Sequence, residues 1–235
     1  MSGRANAPKL CVALDRESRE SNLALVRLLK SHSAHLWLKV GLRSFVRDGK
    51  EFLEDLRRIG DFRLFLDLKL YDIPNTMLDT MREIHALGVD MLTIHASSGA
   101  QAMRALARYR EANPTAPRIL AVTALTSFGQ EDFGQIYNTP ILNHARNMAV
   151  LAYESGCDGV VCSCFETQSI KAATSKSFIA LTPGIRPFGE ESSDQKRVAD
   201  LALAKRVGSD FIVVGRPIYR AQDPRGVVER ILEIL

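Results

Sequence analysis

The chain has 235 residues, 46% apolar and 25% charged, which is ordinary globular usage: too hydrophobic for a disordered chain and too aperiodic for collagen or a long coiled coil. Lys and Arg total 31 against 27 Asp and Glu, a formal charge of +4. These charges are scattered, so neither nucleic acid nor membrane is expected as a partner, whereas a small anionic substrate suits the balance. Cys11, Cys157, Cys162 and Cys164 form no CxxC pair and read as reduced thiols of a cytoplasmic protein. Residues 1–8 read as a short leader without the apolar core of a signal peptide, and no apolar run approaches the roughly 18 residues of a membrane span.

From there, short apolar runs rich in β-branched residues recur at Lys9–Asp15, Leu36–Gly41, Arg63–Lys69, Met91–Ala96, Arg118–Leu125, Gly159–Ser163, Phe178–Pro183 and Phe211–Arg216. Segments of helical periodicity lie between them, among them Ser21–Leu29, Thr76–Leu87, Ala100–Arg110, Ile141–Ser155 and Arg225–Leu235. Three helix-to-strand joints repeat one pattern, Gly88-Val89-Asp90, Gly156-Cys157-Asp158 and Gly208-Ser209-Asp210, with Gly placed as a left-handed helix cap. Eight alternating βα units predict a parallel sheet closed as a (β/α)8, or TIM, barrel, one α/β domain over residues 1–235. No GxGxxG follows the first strand, which argues against a dinucleotide-binding sheet. The long polar interval Gly184–Lys196 is expected to be a functional lid.

Chemistry concentrates on the third strand. Asp67 and Lys69 stand two residues apart, so alternation turns both to the barrel interior, at the strand end where barrel enzymes keep their catalytic groups. By spacing alone the pair reads equally well as a rim ion pair. Asp15 at the end of strand one, Lys39 near the end of strand two and Asp72 just beyond strand three bring further charges to the same mouth, a field that is costly to assemble unless it is used. His95 reads as a hydrogen-bonded structural residue. Trp37, Phe45, Phe52 and Phe65 are expected to pack helices on the sheet, Cys162 and Cys164 to be small core residues, and Arg104, Arg108 and Arg110 to form one solvated helix face.

The run Asp67-Leu68-Lys69-Leu70-Tyr71-Asp72-Ile73-Pro74-Asn75-Thr76 resembles the signature of the orotidine 5'-phosphate decarboxylase family. So do Ala13-Leu14-Asp15, Lys39-Val40-Gly41, Leu92-Thr93-Ile94-His95, Leu125-Thr126-Ser127, Thr182-Pro183-Gly184-Ile185-Arg186-Pro187, Asp194-Gln195-Lys196-Arg197 and Val214-Gly215-Arg216-Pro217-Ile218, in order and at strand ends. The resemblance implies decarboxylation of orotidine 5'-phosphate to UMP without metal or cofactor. Lys69 is then the cation that stabilises the C6 carbanion and donates its proton, with Asp67 beside the departing carboxylate. Lys39 and Asp72 complete an alternating Lys-Asp-Lys-Asp network. The resemblance also places Asp15 and Lys39 at ribose hydroxyls, Ser127 at the pyrimidine edge, and Gln195, Gly215 and Arg216 at the phosphate, with Arg186 beside that pocket. It implies a homodimer in which Asp72 and Thr76 reach the neighbouring subunit's site. Two rivals remain. One is a magnesium-dependent lyase similar to the 3-keto-L-gulonate 6-phosphate decarboxylases, which share Asp-x-Lys-x-x-Asp. They typically carry an acid near the position of Lys39 and lack the Pro74-Asn75-Thr76 run. The other is a non-catalytic nucleotide-phosphate sensor, which has no use for Lys69 beside Asp67.

Overall fold

A computed structural model describes residues 7–189 and 197–235 of the chain. The first half runs β1 (Lys9–Ala13), α1 (Arg19–Leu28), β2 (Leu36–Gly41), α2 (Leu42–Ile59), β3 (Arg63–Leu70), α3 (Pro74–Ala86), β4 (Met91–His95), α4 (Gly99–Ala112) and β5 (Arg118–Val122). It continues through α5 (Gln130–Tyr137), α6 (Ile141–Glu154), β6 (Gly159–Val161), α7 (Cys164–Ala173), β7 (Ile179–Thr182), α8 (Leu201–Val207), β8 (Phe211–Val214), α9 (Arg216–Tyr219) and α10 (Pro224–Ile234). The eight strands pair in parallel, each with the next, and β8 pairs with β1 to close the barrel. The predicted α/β barrel is therefore observed. The leader falls mostly on residues outside the described set, as do Gln195 and the larger part of the expected lid. Among the described residues no helix is long and apolar enough to cross a membrane.

Two cores hold the barrel. One face of each strand packs under the helices: Leu10, Val12, Leu38, Val40, Leu64 and Leu66 join Phe52, Leu53, Met81 and Leu106. The other face fills the interior with Cys11, Trp37, Phe65, Met91, Leu120 and Phe211. Trp37 and Phe65, expected under the helices, belong to this inner core; Trp37 meets Phe211 edge-on with ring centroids 5.0 Å apart. Strand alternation explains it, since Trp37 shares a face with Lys39, and Phe65 with Asp67. In a sheet buried on both sides apolarity alone does not reveal which face a residue takes. Phe52 does pack under the helices and Phe45 lies against that layer.

The repeated Gly-x-Asp joints have one construction. Gly88, Gly156 and Gly208 adopt positive φ, a conformation that costs a side-chain-bearing residue energy. Each following Asp then accepts the backbone N–H at the second residue of the preceding strand: Asp90 from Leu64, Asp158 from Ile119 and Asp210 from Ala180, all at 2.8 Å. A cation completes each carboxylate, Arg63 at 2.7 Å, Arg110 at 3.0 Å and Lys171 at 2.8 Å respectively. Arg110 is thus half-buried in an ion pair while Arg104 and Arg108 are exposed, so the three do not form one solvated face.

Candidate active site

A cavity of about 330 Å³ opens at the C-terminal ends of the strands. One wall carries Asp15, Lys39, Asp67 and Lys69; the opposite wall carries Pro183, Gly184, Arg186, Gly215 and Arg216; Leu125, Thr126 and Ser127 lie between them. The inner core forms its floor through Ala13, Phe65, Leu181 and Val213.

The first wall is an alternating line of charges. Lys39 Nζ lies 3.2 Å from Asp15 Oδ1 and 3.5 Å from Asp67 Oδ2, and Asp67 Oδ1 lies 2.7 Å from Lys69 Nζ. Within one chain the fourth member of the network is therefore Asp15. Burial works against the Lys39 charge, yet Asp67 and Asp15 outweigh it and hold its pKa above the ordinary lysine value. Burial likewise disfavours the Asp67 carboxylate, but Lys39, Lys69 and the hydrogen bonds from Lys69 and Thr93 keep its pKa below the usual range. Both groups stay charged in a nearly dry site, so the field is set before any ligand arrives.

The meeting of Asp67 and Lys69 is less simple than alternation. Lys69 has φ of 51°, one of two positive values at non-glycine residues among those described, and the β3–β4 register shifts between Leu66 and Leu70. The left-handed turn takes the Lys69 N–H off the ladder and gives it to Thr93 Oγ1 at 3.0 Å, while the Thr93 hydroxyl donates to Asp67 Oδ1 at 2.9 Å. A left-handed lysine costs about 1–2 kcal/mol and persists where its surroundings enforce it. Thr93 is that enforcement. Its signal in the sequence is a lone hydroxyl at an inward position of a buried apolar strand, without a charge to mark it. Gly41 is a second such position: a Cβ there would come within 2.9 Å of Lys39 Nζ and 3.2 Å of Asp15 Oδ1, so a side chain would push the amine from its place in the charge line.

The cavity gathers Asp15, Lys39, Asp67, Lys69, Ser127, Arg186, Gly215 and Arg216, all read from the sequence. Arg186 is buried and donates to Ile185 O at 3.1 Å. Arg216, expected to end strand eight, instead begins α9. Asp72 and Thr76 do not line the cavity; both are exposed, and Asp72 Oδ1 accepts from Ile73 N at 2.7 Å. Tyr71 and Ile73 beside them are exposed too. Among the described residues no group of three or more His, Cys, Asp or Glu is arranged to hold a metal. The four cysteines are free and buried, and burial pushes the Cys157 and Cys162 thiols up to about 12.

The model of the "Orotidine 5'-phosphate decarboxylase / HUMPS family" matches residues 8–231. The chain belongs to this family. Its relatives include the orotidine 5'-phosphate decarboxylase of Wolinella succinogenes, 58% identical over 226 residues and covering 96% of this chain and 98% of that protein. That of Nautilia profundicola is 55% identical over 224 residues, covering 95% and 97%. Among solved structures, the family enzyme orotidine 5'-phosphate decarboxylase from Lactobacillus acidophilus superposes with a TM-score of 0.82 at 32% identity, covering 97% of this chain and 99% of that one.

Proposed function

We propose that the chain decarboxylates orotidine 5'-phosphate to UMP without a metal, in de novo pyrimidine synthesis, as a cytoplasmic homodimer with shared sites. The observation that carries this reading is a line of alternating charges ending in Lys69 on one wall of a cavity whose other wall presents Arg186 and Arg216. The names of the relatives support it. In the reaction the bond between C6 and the carboxylate breaks, carbon dioxide leaves, and the electron pair stays on C6. The Lys69 ammonium stabilises that carbanion and then transfers its proton to it, and the amine recovers a proton from solvent. Asp67 holds Lys69 in place, and Asp15 and Lys39 hold the ribose hydroxyls. Ser127 meets the pyrimidine edge, and Arg186, Gln195, Gly215 and Arg216 hold the phosphate. Asp72 and Thr76, exposed and off their own cavity, serve the partner's site.

Turnover of orotidine 5'-phosphate in EDTA tests this directly. Full activity in the chelator is expected, because the ammonium supplies the charge that a metal would. Loss of turnover restored by magnesium, or preference for 3-keto-L-gulonate 6-phosphate, would reverse the assignment toward the magnesium-dependent lyases. At the other end of the substrate, Arg216→Ala is expected to weaken UMP binding by about tenfold to a hundredfold, the range of a charge-assisted hydrogen bond. Uridine binding should stay within about twofold, since uridine offers no phosphate to lose. Equal weakening of both ligands in calorimetry would remove Arg216 from the phosphate site.

A further inference from the structure

A second buried ion pair stands apart from the charge line. Glu166, the third residue of α7, is fully buried. Its Oε2 accepts from Ser163 N at 2.8 Å and closes the capping box of the helix, while Oε1 takes the Arg197 guanidinium through Nη1. A carboxylate without solvent keeps its charge where a cation and hydrogen bonds replace water. The other arm of Arg197 points elsewhere: Nη2 donates to Leu125 O at 3.1 Å. That carbonyl oxygen also accepts Phe128 N at 3.1 Å, the bond that closes the turn carrying Thr126 and Ser127 into the cavity. The Arg197 backbone is itself held nearby, since Ala199 pairs with the 184–186 segment through Arg186 N to Ala199 O at 2.8 Å and Ala199 N to Gly184 O at 3.1 Å.

We infer that Arg197, anchored on Glu166, is a positioning residue that fixes the Leu125–Phe128 turn and so places Ser127 at the ring end of the bound nucleotide; the second half of this inference rests on the function proposed above. The planar guanidinium is what makes the arrangement work. Its two arms serve the carboxylate and the carbonyl at once, whereas a lysine ammonium supplies a single compact charge.

Arg197→Lys is the discriminating variant, because it keeps a cation for Glu166 and loses the second arm. Amide hydrogen exchange at Phe128 is expected to quicken about tenfold, the loss of one hydrogen bond to a charged donor, with the Leu10 amide of β1 unchanged. kcat/KM for orotidine 5'-phosphate is expected to fall about tenfold. Adding Ser127→Ala to Arg197→Lys should cost little more than either change alone, while adding Arg216→Ala should multiply the losses, because only Ser127 lies on the turn. Unchanged exchange at Phe128, or losses that multiply with Ser127→Ala, overturns the inference. If Arg197→Lys does not fold, Glu166→Gln keeps an acceptor for the helix cap, releases Arg197, and is read by the same exchange measurement. A wild-type chain silent on orotidine 5'-phosphate would sink the proposed function, and the exchange at Phe128 would still decide whether Arg197 fixes the turn.

Discussion

Lys69→Ala is expected to lower kcat for orotidine 5'-phosphate by at least ~10⁴-fold while UMP binds within about threefold of wild type. Lys69 acts on charge that develops as carbon dioxide leaves, so its removal falls on the transition state far more than on a ligand that has no carboxylate. The fold should survive, because Asp67 keeps Lys39 at 3.5 Å and the Thr93 hydroxyl at 2.9 Å. Alanine keeps the Cβ, so the left-handed backbone here, with φ of 51°, costs no more than it does with lysine. Single-turnover kinetics with calorimetry of UMP separate the two quantities. Retention of a few per cent of kcat, or parallel loss of UMP binding, would remove Lys69 from the proton-donor role.

Complementation gives the second large effect. Lys69→Ala and Asp72→Ala are each expected to be inactive alone, and refolding them together should return about one quarter of wild-type activity. Half of randomly paired dimers are mixed. In each of those, one site joins the intact Lys69 of one subunit to the intact Asp72 of the other, and the second site carries both lesions. The support for sharing is positional: Asp72 is exposed, lies off its own cavity, and is flanked by exposed Tyr71 and Ile73. Pro74 at the first turn of α3 fixes the direction in which the chain leaves this loop. Heterodimers without recovered activity would return Asp72 to its own subunit.

Much of this was legible in the chain itself. The strands were visible because parallel strands buried on both faces read as continuous apolar runs, and the helix joints because glycine at positive φ punctuates them. Asp15, Lys39, Asp67 and Lys69 were visible because charges at the ends of apolar strands have few structural uses. For the same reason of double burial, the face taken by Trp37 and Phe65 was hidden. Thr93 showed only as a hydroxyl at an inward strand position, with nothing to reveal that it serves both Lys69 and Asp67, and Gly41 contributes only the absence of a side chain. Glu166 was concealed because a buried acid in the first turn of a helix looks like an ordinary cap until its second oxygen is followed to Arg197. The left-handed backbone of Lys69 has no signature in residue type at all.

The Gly-x-Asp joints carry a consequence for how the ring assembles. Each spans a short stretch of chain, 26 residues from Leu64 to Asp90, 39 from Ile119 to Asp158 and 30 from Ala180 to Asp210. Loop-closure entropy rises with length, so these local clasps are cheap relative to joining β8 to β1 across nearly the whole chain. Counted as successive two-strand modules, three carry this aspartate fastening, with His35 in the corresponding place of the first. Lys39, Lys69 and Arg216 belong to three different modules, so the order of assembly favoured by entropy completes the cavity only when the modules close into a ring.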